Sequence, residues 1–74
     1  MRTILSLRSD LAFLPKDVKV MAKAFDNALV LLRERGRTEH ARETVARLII
    51  EEATRGERDP DRLCQTALQG FYEQ

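Results

Sequence analysis

The stretch Thr38–Gly56, TEHARETVARLIIEEATRG, constrains this chain more than any other part of it. Ala41, Val45, Leu48, Ile49 and Ala53 recur along one face of a 3.6-residue repeat, the signature of an amphipathic helix. Thr38 is the expected N-cap, because its hydroxyl can accept from an early backbone N–H. Glu39 suits the positive end of the helix dipole and Arg55 the negative end. Gly56 is the expected stop, with a positive φ that costs glycine nothing. Glu43–Arg47 and Arg47–Glu51 are expected to pair along a solvated face. Ala46 and Ile50 widen the apolar arc to roughly 200°, at about 100° per residue. An arc that wide needs more than one neighbour, so this helix is predicted to be central. Arg42 and Glu52 fall inside the arc. Glu52 is expected to snorkel to solvent, the alternative being a half-buried carboxylate paired with an arginine of another element.

The flanking segments read as two more helices. Pro15 fits a first helical turn, where its missing N–H is no loss, and Asp17 follows with the sign the dipole prefers. A helix is predicted over 16–35, stopping at Gly36, which is also expected to have positive φ. Its main face is Val18, Met21, Ala22, Phe25, Ala28, Leu29 and Leu32, with Val20, Ala24 and Leu31 as a second strip beside it. Met21 is read as gap-filling core rather than a ligand. Gly36-Arg37 is too short a link for anything but antiparallel neighbours, so the first two helices form a hairpin. Asp59-Pro60 pairs a capping residue with a proline at the first helical position. The third helix is predicted over 60–69, ended by Gly70, with Leu63, Cys64, Ala67, Leu68 and Phe71 inward. Residues 1–14 form an arm whose Ile4, Leu5 and Leu7 need cover but whose shape the periodicity leaves open. The fold class is therefore all-α: a helical hairpin plus a short third helix, three-helix bundle-like, in one domain spanning 1–74. Phe25, Leu29, Leu48 and Ile49 are its expected buried centre.

Composition narrows the class further. With 74 residues and one cysteine, the chain has a small core and no internal disulfide to reinforce it. Stability must come from close helix packing or from an oligomer. Thirteen basic residues against 12 acidic leave a net charge of +1, without the basic excess of a dedicated nucleic-acid binder. No apolar run approaches the ~20 residues of a membrane span, and Arg8 and Asp10 interrupt the N-terminal apolar stretch where a signal peptide would need continuity. A soluble, cytoplasmic chain is expected.

AFDNAL in the first helix, followed by TVARLIIEEATRGERDPDRLCQTAL, resembles a set of short, uncharacterised helical proteins of alphaproteobacteria. The likeness runs from Pro15 to Leu68, and the RGERDP corner is its most distinctive part. It implies a small, compact helical protein and supplies no reaction, cofactor or functional residues.

The candidate sites are few. His40 and Cys64 are the single histidine and the single cysteine, on different helices, whereas a zinc site needs three or four clustered ligands. Cys64 reads as a small core hydrophobe, and a Cys64–His40 catalytic pair is not expected, since their helices start at opposite ends of the bundle. No cofactor, metal or enzymatic activity is expected. Arg33, Arg35, Arg37, His40 and Arg42 cluster around the first turn, with Glu34, Glu39 and Glu43 among them. They read either as a solvated charged corner or as a site for an anion or an acidic partner. The second turn has the outline of a helix-turn-helix, but a recognition helix opening Asp59, Pro60, Asp61 would set two carboxylates against phosphates. The expected function is thus protein–protein interaction, as a regulatory or accessory module with an unidentified protein partner. The alternative is a nucleic-acid-binding regulator using the arginine corner. A homodimer is expected, because one chain has more apolar surface than three helices can cover, with Val20, Ala24 and Leu31 as its seam.

Overall fold

The computed structural model describes residues 13–73 as α1 (Pro15–Leu32), a 3-10 turn (Arg33–Arg37), α2 (Glu39–Thr54) and α3 (Pro60–Tyr72). The all-α, three-helix bundle-like reading is what the chain adopts, and there is no strand among the described residues. Ile4, Leu5 and Leu7 of the arm lie outside those residues.

The helix ends follow local chemistry. Thr38 Oγ1 accepts from the Ala41 N–H at 3.0 Å, and Asp59 Oδ1 accepts from the Asp61 N–H at 3.2 Å. At the end of α2, the Gly56 N–H donates to the Ala53 carbonyl at 2.9 Å and the Glu57 N–H to the Glu52 carbonyl at 3.2 Å. These are the paired bonds of a Schellman motif, and Gly56 carries the φ of 112° that the motif requires.

The start of α1 is held from two sides. The Leu14 N–H donates to Asp17 Oδ2 at 3.0 Å. Asp17 Oδ1 receives the Arg58 Nε at 3.1 Å, across the bundle from the turn between α2 and α3. Arg58 also donates to the carbonyls of Ala53 and Glu57, and its guanidinium lies 5.4 Å from the centre of the Phe13 ring. One side chain therefore joins the first turn of α1 to the last turn of α2. The bond from the Leu14 N–H, with Arg58 adding to it, holds the Asp17 carboxyl below its ordinary value of 3.8. A carboxyl lowered in the folded state stabilises above its unfolded pKa, and that contribution is lost as pH falls through the folded value. We expect the melting temperature to be flat down to a pH of about 4 and to fall below it. Asp17→Asn should lower the neutral-pH melting temperature and flatten that acid limb. An acid limb unchanged in the variant would place the titrating group elsewhere.

Three end-of-helix expectations are corrected. α1 stops at Leu32 rather than at Arg35, and the reversal falls on Arg33, whose φ is 57°. Gly36, expected to have positive φ, does not. It is buried in the turn, and a Cβ there would meet the Leu29 carbonyl oxygen at 2.8 Å. Glycine is needed at this position for space rather than for its dihedral freedom. Gly70 does not end α3, which continues to Tyr72. It lies under Leu48, whose Cδ1 would be 2.9 Å from an added Cβ.

The core is built from small residues. Ala24, Ala28 and Leu32 of α1, Ala41, Val45, Ile49 and Ala53 of α2, and Leu63, Cys64 and Ala67 of α3 are buried. The alanines let three helices approach closely, and Ile49, Leu63 and Val45 are the largest fully buried side chains. Of the expected centre, only Ile49 is buried; Phe25, Leu29 and Leu48 are half-buried around it. The inward face of α3 is as read. α3, rather than α2, is the central element, packing more extensively on each partner than they pack on one another.

Its position explains the difference. α3 sits against Leu48 on α2 and beside Asn27, Val30 and Leu31 on α1. This turns the α1 core toward Ala24 and Ala28, and the α2 core toward Thr44, which is buried. On α1 the rotation from the expected face is roughly 50° at about 100° per residue. Val18 and Ala22 on one helix, and Ile50 on the other, are left exposed.

Candidate functional site

Two surfaces result from this packing. The first is a groove between α1 and α2, lined by Val18, Met21, Ala22, Phe25, Ala46, Ile49 and Ile50. Every lining residue is apolar. Val18 retains 52% of its exposure and Ile50 45%, so the groove is open to solvent. It consists of the parts of the two original faces that α3 does not reach.

The seam residues predicted from the sequence do not form such a surface. Ala24 is fully buried inside the chain and has no area to offer a second copy. Val20 is half-buried against the core, whereas Leu31 is exposed beside the start of α3, near Asp61 and Cys64. The three lie on one strip of the helix, and α3 covers its middle.

The second surface is the arginine corner. Arg33, Arg35, Arg37, His40 and Arg42 are all exposed. The 3-10 turn sorts them. Arg33, Arg37 and Arg42 line one open cleft with Leu29, Val30, Glu34 and Gly36. Arg35 is directed away and lies 5.9 Å from the centre of the Tyr72 ring, a cation–π contact that fastens the turn to the end of α3. His40 is not part of the cleft lining. Beside the cleft, Arg37 and Arg42 border a second shallow depression with Glu39, Glu43 and Ala46.

The remaining sequence candidates have structural roles. Glu52 is half-buried, and its Oε1 is 3.1 Å from Arg55 Nη1. Its partner is thus one turn further along the same chain segment rather than on another element. Arg47 pairs with Glu51 at 3.3 Å on the solvated face. Cys64 is free and buried, and burial, with Asp61 adding, pushes its thiol up in pKa. A thiol raised in this way is disfavoured as the nucleophilic thiolate. Met21 packs at the edge of the core. Among the described residues no His, Cys, Asp and Glu side chains gather as a ligand set. None of the described helices is long and apolar enough to cross a membrane.

The sequence signal for the groove was the excess width of both apolar arcs. The cleft had only the density of arginine as a signal, without the turn geometry that separates Arg35 from the others. Compared with known proteins, the chain matches no family model, no curated protein and no solved structure.

Proposed function

We propose that this chain is a small helical interaction module, regulatory or accessory to a protein partner, that self-associates through the α1–α2 groove. The observation that carries the reading is the uninterrupted apolar lining of that groove on a core half of whose buried hydrophobic residues are alanine. A second copy is the occupant that fits it. A two-fold axis sets the groove against itself, so apolar meets apolar on both sides. The rims suit such pairing: by helical spacing, Lys19 and Asp26 flank it on α1 and Glu43 and Arg47 on α2, all exposed and of both signs. The groove spans about two turns of α1 and little more than one of α2, so the interface is at or below the ~800 Å² per partner of a stable complex, and the dimer is of modest affinity. The reading places the protein in the cytoplasm, in keeping with a single free, buried thiol. It ranks above nucleic-acid binding because Glu34, Glu39 and Glu43 stand among the corner arginines and oppose an extended phosphate backbone.

Sedimentation equilibrium at micromolar concentration tests it. We expect a concentration-dependent species near twice the 8.5 kDa chain mass, and its loss in Ile50→Lys, which puts a charge at the groove without touching the core. A monomer at all concentrations would remove the dimer. A dimer indifferent to Ile50→Lys would move the seam.

A further inference from the structure

We propose that the cleft bounded by Arg33, Arg37 and Arg42 binds a phosphate monoester with an apolar body. The arginines come from the two ends of the 3-10 turn and the first turn of α2, and they converge on one concavity. Three arginines and a single acidic residue, Glu34, line it. Of the other described arginines, Arg47 is paired with Glu51, Arg55 with Glu52 and Arg58 with Asp17, Arg35 lies against the Tyr72 ring, and exposed Arg62 forms no ion pair among the described residues. No ion pair forms to Arg33, Arg37 or Arg42 among the described residues, although Glu34, Glu39 and Glu43 are close in sequence.

Guanidiniums have only donors, in a planar fork, so a site made of them calls for an anion rich in acceptors. A phosphate dianion presents three such oxygens and matches the fork. The backbone adds an independent observation. Arg33 holds φ 57° and ψ −126°, a region that a side chain occupies at a cost and glycine occupies freely. The chain reverses on an arginine here, which carries that guanidinium to the cleft.

The lining also selects the rest of the ligand. Leu29 and Val30 form an apolar wall, and Val30 is 71% exposed. A bare phosphate would leave this wall in water, whereas the organic part of a monoester covers it. The carboxylates of Glu39 and Glu43 border the adjoining depression and limit the site to a compact anion.

The test is a ¹⁵N-resolved NMR titration of the full chain with phenyl phosphate, with inorganic phosphate and with a short single-stranded oligonucleotide. We expect saturable shifts confined to amides between Leu29 and Glu43, with phenyl phosphate bound more tightly than inorganic phosphate. Arg37→Gln combined with Arg42→Gln should weaken phenyl phosphate by about tenfold or more, as the loss of charge-assisted bonds requires. Arg62→Gln, an exposed arginine on α3 outside the cleft, should leave it unchanged. The proposal is overturned by absence of saturable shifts, by equal weakening in Arg62→Gln, or by tighter binding of the oligonucleotide than of phenyl phosphate. The wild-type titration decides the matter even if the double variant folds poorly. Failure here leaves the groove dimer intact, since the sedimentation experiment reads a different surface.

Discussion

Leu63→Ala should cost ~3–5 kcal/mol and bring the domain close to unfolding at ambient temperature. Leu63 is fully buried in α3, the element that both other helices pack against, so the space it leaves is bounded on all sides. Helices already in contact through alanines cannot move inward to fill it, and a cavity that does not collapse has the full cost. A chain of 74 residues has roughly 4–11 kcal/mol of stability in total, at ~0.05–0.15 kcal/mol per residue. The comparison that decides the argument is Phe25→Ala. Phenylalanine is the larger side chain, and the sequence made it the centre of the core, but Phe25 is half-buried at the edge of the groove. Its loss should therefore cost less than that of Leu63. Urea unfolding followed by circular dichroism measures both, and a Phe25→Ala cost above that of Leu63→Ala would overturn this account of the core.

Gly36→Ala should lower the melting temperature by ~4–24 °C. The added methyl carbon would lie 2.8 Å from the Leu29 carbonyl oxygen, 3.2 Å from Leu32 Cβ and 3.3 Å from Leu29 Cα. Two of these neighbours are backbone of α1, which cannot rotate aside as a side chain can. Relief requires the 3-10 turn to move off the helix, at the ~1–3 kcal/mol typical of overpacking. In a domain of this size each kcal/mol is about 4–8 °C. Gly70→Ala is the matched control. Its methyl would meet Leu48 Cδ1 at 2.9 Å, the far end of a flexible side chain that can shift. Alanine in a helix interior also gains up to ~1 kcal/mol over glycine. Gly70→Ala should therefore be near neutral. Equal effects at the two glycines would show that the turn at Gly36 is not packed as described.

What could be read from the sequence was what nearby atoms decide. Thr38 and Asp59 cap because their oxygens reach N–H groups two or three residues away. Gly56 ends α2 because its N–H reaches the Ala53 carbonyl, and that of Glu57 the Glu52 carbonyl, within the same turn. The inward face of α3 was legible too, since that helix has a single apolar stripe and hence a single way to bury it. The tertiary structure decided everything that required choosing between stripes. α1 and α2 each have more apolar arc than one neighbour covers, and several rotations satisfy the same pattern. The position of α3 selects the rotation that buries Ala24 and Thr44, half-buries Phe25, and leaves Val18, Ala22 and Ile50 uncovered. The same holds for the arginines. Their number was plain in the chain, but only the reversal at Arg33 and the packed glycine at Gly36 bring three of them to one cleft and send Arg35 to Tyr72. Local hydrogen bonding is complete within a few residues of sequence, whereas the choice of buried face on α1 and α2 depends on contacts with a third helix that lies beyond both in the chain.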